Sequence, residues 1–139
     1  MIIKGQLTIR NALTGEVLHQ AENMVVDDGL ELIADRMKDN TQAALGWIAV
    51  GTSNVTVAAT DSALYAEIDR NAATVVNANL NTLEIETDFS AAEAVATWRE
   101  VGVFNAAAAG VMFNRINIDF TKTAATPINV KFIFTWTRA

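Results

Sequence analysis

Leu83-Glu84-Ile85-Glu86-Thr87-Asp88-Phe89 alternates without a break between Leu83, Ile85, Thr87 and Phe89 on one side and Glu84, Glu86 and Asp88 on the other. Successive side chains of a strand point to opposite faces, so this pattern suits a half-buried strand and no helix. Alternate residues lie about 7 Å apart along a strand, and no glycine-containing, oxygen-rich loop accompanies the three acids. They read as a solvated face rather than a calcium site or a catalytic carboxylate row.

Outward from this strand the same period recurs. Upstream, Thr74-Val75-Val76 marks a strand over residues 71–77, joined to it by the polar turn 77–82. Downstream, the alanine-rich run 90–96 reads as a loop. Trp98-Arg99-Glu100-Val101-Gly102-Val103-Phe104-Asn105 is strand-like, 105–110 is a small-residue turn, and 111–120 returns with Met112, Ile116, Ile118 and Phe120 on one side. That is a hairpin. The last strand sets Ile128, Val130, Phe132, Phe134 and Trp136 on one face against Asn129, Lys131, Ile133, Thr135 and Thr137. Ile133 is the one apolar exception on that polar face, which makes it a candidate contact point.

Towards the N-terminus, residues 3–10 alternate Ile3, Gly5, Leu7 and Ile9 with polar neighbours, and Gly15 supplies a turn back into 17–22, giving a second hairpin. In Asp27-Asp28-Gly29-Leu30-Glu31-Leu32-Ile33-Ala34-Asp35-Arg36-Met37-Lys38, Leu30, Ile33, Ala34 and Met37 fall at i, i+3, i+4 and i+7. This predicts a helix buried on that face, with Asp28 as N-cap, Glu31 completing a capping box and Lys38 at the negative end of the dipole. Residues 45–50 are a short apolar run that reads as a buried strand and ends at Gly51. Residues 52–60, rich in Ser, Asn, Thr, Val and Ala, form a loop, and Thr60 or Asp61 is expected to cap a second short helix carrying Leu64 and Ile68. A strand ending in glycine before a capped helix can hold an anion. Here no second glycine and no basic residue before Arg70 support that, so the stretch reads as a crossover whose loop is a candidate docking surface.

The 139 residues, 51% apolar with a single proline, are the size of one domain, residues 1–139, with enough apolar surface for its own core. Sixteen acidic and ten basic side chains leave a net charge of −6 with no basic stripe, which argues against nucleic acid. Neither a targeting segment nor an apolar run of transmembrane length is apparent, so no membrane partner is expected and a soluble protein is. The absence of cysteine rules out disulfides and thiolate zinc, and suits folding in a reducing cytoplasm.

Catalytic signals are missing. His19, the only histidine, has no nucleophile beside it; Ser53, Ser62 and Ser90 lack a nucleophile elbow; and no glycine-rich phosphate loop occurs. The expectation is a non-enzyme without metal, cofactor or small-molecule substrate. About eight short strands, two short helices and no βαβ alternation point to a mainly β fold, an antiparallel β-sandwich, tulip-like or β-rich α+β.

Several motifs in order resemble a family of short tailed-bacteriophage virion proteins. They are Asn23-Met24-Val25-Val26, Gly29-Leu30, Ile33-Ala34-Asp35-Arg36-Met37, Ile48-Ala49-Val50-Gly51-Thr52, Asp61, Leu64, Glu67-Ile68 and Arg70. The likeness continues through Glu100-Val101-Gly102-Val103-Phe104-Asn105, Gly110-Val111-Met112-Phe113, Arg115, Lys122-Thr123 and Phe134-Thr135-Trp136-Thr137. After Gly-Thr the family usually has a glycine, where this chain has Ser53. The resemblance implies a non-enzymatic β-rich building block of the virion, assembled in the host cytoplasm, that works as an oligomer. Short length without repeats favours a head decoration, or cement, protein over a fibre. Such a protein would form a homotrimer and clamp neighbouring major capsid subunits; a tail, baseplate or short tail-fibre adaptor is the alternative. Interface candidates are the N-terminal arm Met1, Ile2 and Ile3, the loop residues Thr52, Ser53, Asn54 and Val55, and Ile133, because strand edges, termini and loops are where pairing remains available.

Overall fold

The computed structural model describes residues 2–139. Met1 lies outside the described residues. The chain runs β1 (Ile2–Asn11), β2 (Val17–Val25), α1 (Asp27–Lys38), β3 (Trp47–Gly51), β4 (Glu67–Ala72), β5 (Val75–Asn79), β6 (Thr82–Phe89), β7 (Ala96–Phe104), β8 (Met112–Lys122) and β9 (Ile128–Thr137). The fold is mainly β and antiparallel, as its period-2 patterns predict. It differs from expectation in three respects: nine strands rather than about eight, one helix rather than two among the described residues, and a single curled sheet rather than two separate ones.

The sheet order is β4-β3-β7-β8-β2-β1-β9-β6-β5. Strand β2 joins its two halves: residues from Val17 to Asn23 pair with β1, then Met24 and Val25 pair with Arg115 and Asn114 of β8. The curl brings the apolar faces of the halves together. Leu7, Ile9, Ile85, Phe89, Ile128, Val130, Phe132 and Phe134 from one half share a buried cluster with Ile48, Val50, Trp98, Val101, Val103, Phe113, Ile116 and Ile118 from the other. Edge-to-face contacts fix the rings: Phe89 and Trp98 are 5.3 Å apart between centroids, and Phe113 and Phe134 are 4.9 Å apart.

Helix α1 packs on β8 by a face other than the one expected. Gly29 and Leu32 are buried, Ile33 is half-buried, and Leu30 and Met37 are exposed, Met37 at 84%. The cause is Gly29, which rests on the Phe113 carbonyl so closely that a Cβ would collide with it. The line of closest approach follows the smallest residue, not the largest apolar ones. The helix starts after Val26 with no side-chain cap, so Asp28 is no N-cap; Asp27 and Asp28 instead lie in the first turn, at the positive end of the dipole.

The second expected helix does not form. From Asp61 the chain stays irregular and then enters β4, which pairs with β3 across a bulge that leaves Ile68 unmatched between Glu67 and Asp69. In a regular strand Glu67 and Arg70 would face opposite sides. The extra residue restores them to one side, where they form a two-bond ion pair of 3.0 and 2.6 Å.

Candidate functional site

Loop 52–66 lies across the outer face of β3, β7 and β8, the side turned away from the main core. Beneath it Val26, Ala49, Leu64, Phe104 and Met112 form a second apolar cluster. Beside them sits a group of buried charges, with Glu100 of β7 and Arg115 of β8 both at 0% exposure. Burying charges is costly unless each lone pair and proton finds a partner.

Glu100 has four. Its Oε1 accepts from the Tyr65 N–H at 2.9 Å and from Arg115 Nε at 3.1 Å. Its Oε2 accepts from the Ala66 N–H at 2.8 Å and the Ser53 N–H at 3.2 Å. One carboxylate thus ties together both ends of the loop and the neighbouring strand. Arg115 also donates through Nη1 to Asp61 Oδ2 at 3.2 Å, and its guanidinium faces the Tyr65 ring at 4.7 Å. Asp61 further accepts from the Ala58 N–H at 2.9 Å and the Tyr65 hydroxyl at 2.9 Å. Burial alone would raise the Asp61 carboxyl, but the Ala58 and Tyr65 hydrogen bonds and the Arg115 charge together hold it below its ordinary value. Donating to that carboxylate raises the Tyr65 hydroxyl.

Asn117 of β8 adds a further clamp. It donates to the Val55 carbonyl at 2.9 Å and accepts from the Val57 N–H at 2.7 Å, so its side-chain amide pairs with the loop as a neighbouring strand would. The Ala59 carbonyl accepts from the Asp27 N–H at 2.8 Å, anchoring the loop to the start of α1. A second arginine immobilises the adjacent turn: Arg70 lies 3.7 Å from the Phe104 ring centroid and donates to the carbonyls of Ala106 and Ala109, each at 2.9 Å. The buried charges hold backbone in place: every oxygen of Glu100 and Asp61 is occupied, while Arg115 Nη2 is buried without a hydrogen-bond partner among the described residues.

The interface candidates fall in three separate places. Ile2 is half exposed and Ile3 partly buried on β1, bonded to Thr137 and Trp136 of β9; β1 is an interior strand, and its pairing with β2 begins at Gly5. Thr52, Ser53, Asn54 and Val55 lie on the clamped loop. Thr52, Asn54 and Val55 are exposed, while the Ser53 hydroxyl accepts from the Val55 N–H at 3.2 Å. Ser53 is not among the residues of positive φ, so no glycine is needed there. Ile133 sits mid-sheet on β9 between Gln6 and Glu84, in a shallow depression with Lys4, Glu22 and Thr135. The structure does not bring these three groups together.

The acidic row is held by the next strand: Glu84 pairs with Lys131 at 3.0 Å, and Asn129 donates to Glu86 and Asp88, each at 2.8 Å. Among the described residues no group of three or more metal-binding side chains occurs, and no helix is long and apolar enough to cross a membrane. Sequence reasoning passed over Glu100, Arg115 and Asn117 as site residues. One signal was present: Glu100 shares a strand face with Gly102 and Phe104, a composition unlike a wet face. Comparison with protein-family models, with curated proteins and with solved structures finds no match to this chain.

Proposed function

We propose that this chain is a non-enzymatic structural protein of a bacteriophage virion, a decoration or cement protein that binds across neighbouring coat subunits on the head and acts in several copies. The observation that carries the reading is the clamping of loop 52–66 by Glu100, Asn117 and the Asp61–Arg115 pair. A long irregular loop fixed in advance loses little conformational entropy on docking, so its contacts go into binding rather than into ordering the loop. Its outward residues, among them Thr52, Asn54 and Val55, mix polar and apolar groups as a protein-binding surface does. Ile2, Ile3 and Ile133 are secondary contacts in this reading.

The test is cryo-electron microscopy of the virion encoded with this gene. Density for this fold on the capsid between coat subunits, with loop 52–66 at the contact, is the expected result. Density only at the tail would replace the head assignment with a tail or baseplate adaptor, and absence from the particle would overturn the reading.

A further inference from the structure

The two ends of the sheet are treated differently. At one end, β4 carries Glu67, Asp69 and Arg70, bears a bulge, and is met by β6 through the Thr87 hydroxyl on the Ala72 carbonyl at 2.7 Å and the Asn71 amide on the Asp88 carbonyl at 3.0 Å. Charges, bulges and cover are the usual protections of a strand edge. At the other end, β5 has none of them. Its sequence is Val75-Val76-Asn77-Ala78-Asn79, uncharged and without proline; all five residues are exposed, and it pairs only with β6.

We infer that β5 is a self-association edge, at which a second copy of this chain adds its own β5 antiparallel about a two-fold axis through Asn77. The strand is self-complementary in that register: Asn77 meets Asn77, Val76 meets Ala78, and Val75 meets Asn79. Val76 and Ala78 pair with Ile85 and Leu83, so they share the core side of the sheet. That side continues into an apolar groove under α1, lined by Val76, Leu83, Trp136, Leu45, Ile33 and Met37. Pairing two β5 strands sets two such grooves side by side. A five-residue strand alone is small beside the roughly 1,200–2,000 Å² of a stable interface, and the groove walls supply further apolar surface.

Charge does not bar a second copy at this edge. The net charge of −6 repels copies from one another, and β5 is a neutral stretch at which that repulsion is least. The nearest acids, Glu84 and Glu86 on β6, would face their counterparts across three strand spacings, about 14 Å. That exceeds the screening length of about 8 Å at physiological salt. The pairing does not depend on the virion reading: a chain that sits on heads as separate monomers would remove this inference and leave the proposed function standing.

Sedimentation velocity over a concentration series, with the intact chain, tests it. The expected result is a monomer–dimer equilibrium that Val76→Lys abolishes and that Val17→Lys, on β2 in the same half of the sheet, leaves unchanged. Since the chain has no cysteine, Asn77→Cys gives an independent readout. Directly opposed antiparallel residues have Cα atoms about 4.5–5.5 Å apart, within disulfide reach, so mild oxidation yields covalent dimer. Ala78→Cys, whose partner in this register is Val76, does not cross-link. A monomer at every concentration overturns the inference, as does association indifferent to Val76→Lys or cross-linking no better at 77 than at 78. If Val76→Lys fails to fold by circular dichroism, the two cysteine variants decide.

Discussion

The Glu100 carboxylate occupies the space that a side chain at position 51 would need: a Cβ built on Gly51 lies 2.5 Å from Glu100 Oε2 and 2.6 Å from the Ala66 carbonyl oxygen. Gly51 is therefore glycine for the sake of a residue 49 positions away, and not for a turn. Gly51→Ala must push aside either the carboxylate or the Ala66 backbone that the carboxylate binds. Overpacking of this kind costs about 1–3 kcal/mol, and the cost here should fall at the upper end because the displaced atoms are buried and charged. Urea unfolding would show a lower midpoint at unchanged slope; an unaltered midpoint would mean that the loop yields freely, against the clamp.

The Glu100–Arg115 pair should behave as a network rather than as two independent contacts. Glu100→Gln turns one acceptor into a donor, facing either the Ser53 and Ala66 N–H groups or Arg115, and should cost about 3–5 kcal/mol, the usual loss when one partner of a buried pair goes. Arg115→Met leaves Glu100 its three backbone donors and should cost less. The double variant should cost less than the sum, with a coupling on the order of 0.5–3 kcal/mol. Amide exchange supplies a second readout: in Glu100→Gln the Ser53, Tyr65 and Ala66 amides should exchange faster while the β1–β9 ladder keeps its protection. Additive costs would dissolve the network.

The legible and illegible parts of this fold divide by distance along the chain. Faces of β6 and β9 follow from local alternation: Ile85, Phe89, Ile128, Val130, Phe132 and Phe134 are all buried, and Lys131 and Asn129 answer the acids beside them. Helix α1 is legible as a helix, but its buried face is not, because Gly29 against Phe113 outweighs Leu30 and Met37 and the partner strand lies more than eighty residues away. At Asp61 the local capping signal is genuine in kind, a short carboxylate before apolar residues. Arg115, Tyr65 and Ala58 claim that carboxylate first, and Glu100 takes the N–H groups of Tyr65 and Ala66. The clamp is thus a product of long-range pairing, which no local period encodes.

Acid should weaken this protein through Asp61. Its carboxyl is held below the ordinary value of 3.8, so it contributes stability that is complete above that pH and is lost as pH falls through the lowered folded value. Glu93, lowered chiefly by the Asn71 amide, acts in the same direction below its ordinary 4.5. Thermal unfolding should therefore change little through these groups between neutrality and about pH 5, then decline as pH falls further. Asp61→Asn should be less stable at pH 7 by about 3–5 kcal/mol and should decline less steeply in acid. A parallel decline in both proteins would assign the acid sensitivity elsewhere.

Leu80, at the tip of the β5–β6 hairpin, is 99% exposed and holds φ at +53°. A leucine in the left-handed region costs roughly 1–2 kcal/mol, and at this exposure it recovers nothing by burial within its own chain. Asparagine tolerates that conformation, so Leu80→Asn should raise stability by about 1 kcal/mol, read as a higher urea midpoint. Glycine should gain less, since its unfolded chain has more freedom to lose. Loss of stability on Leu80→Asn would show that the leucine side chain supports the hairpin. Because Leu80 adjoins the β5 edge, the same variant belongs in the sedimentation series: a more stable chain that associates less well would mean the strained, exposed leucine is kept for contact between copies.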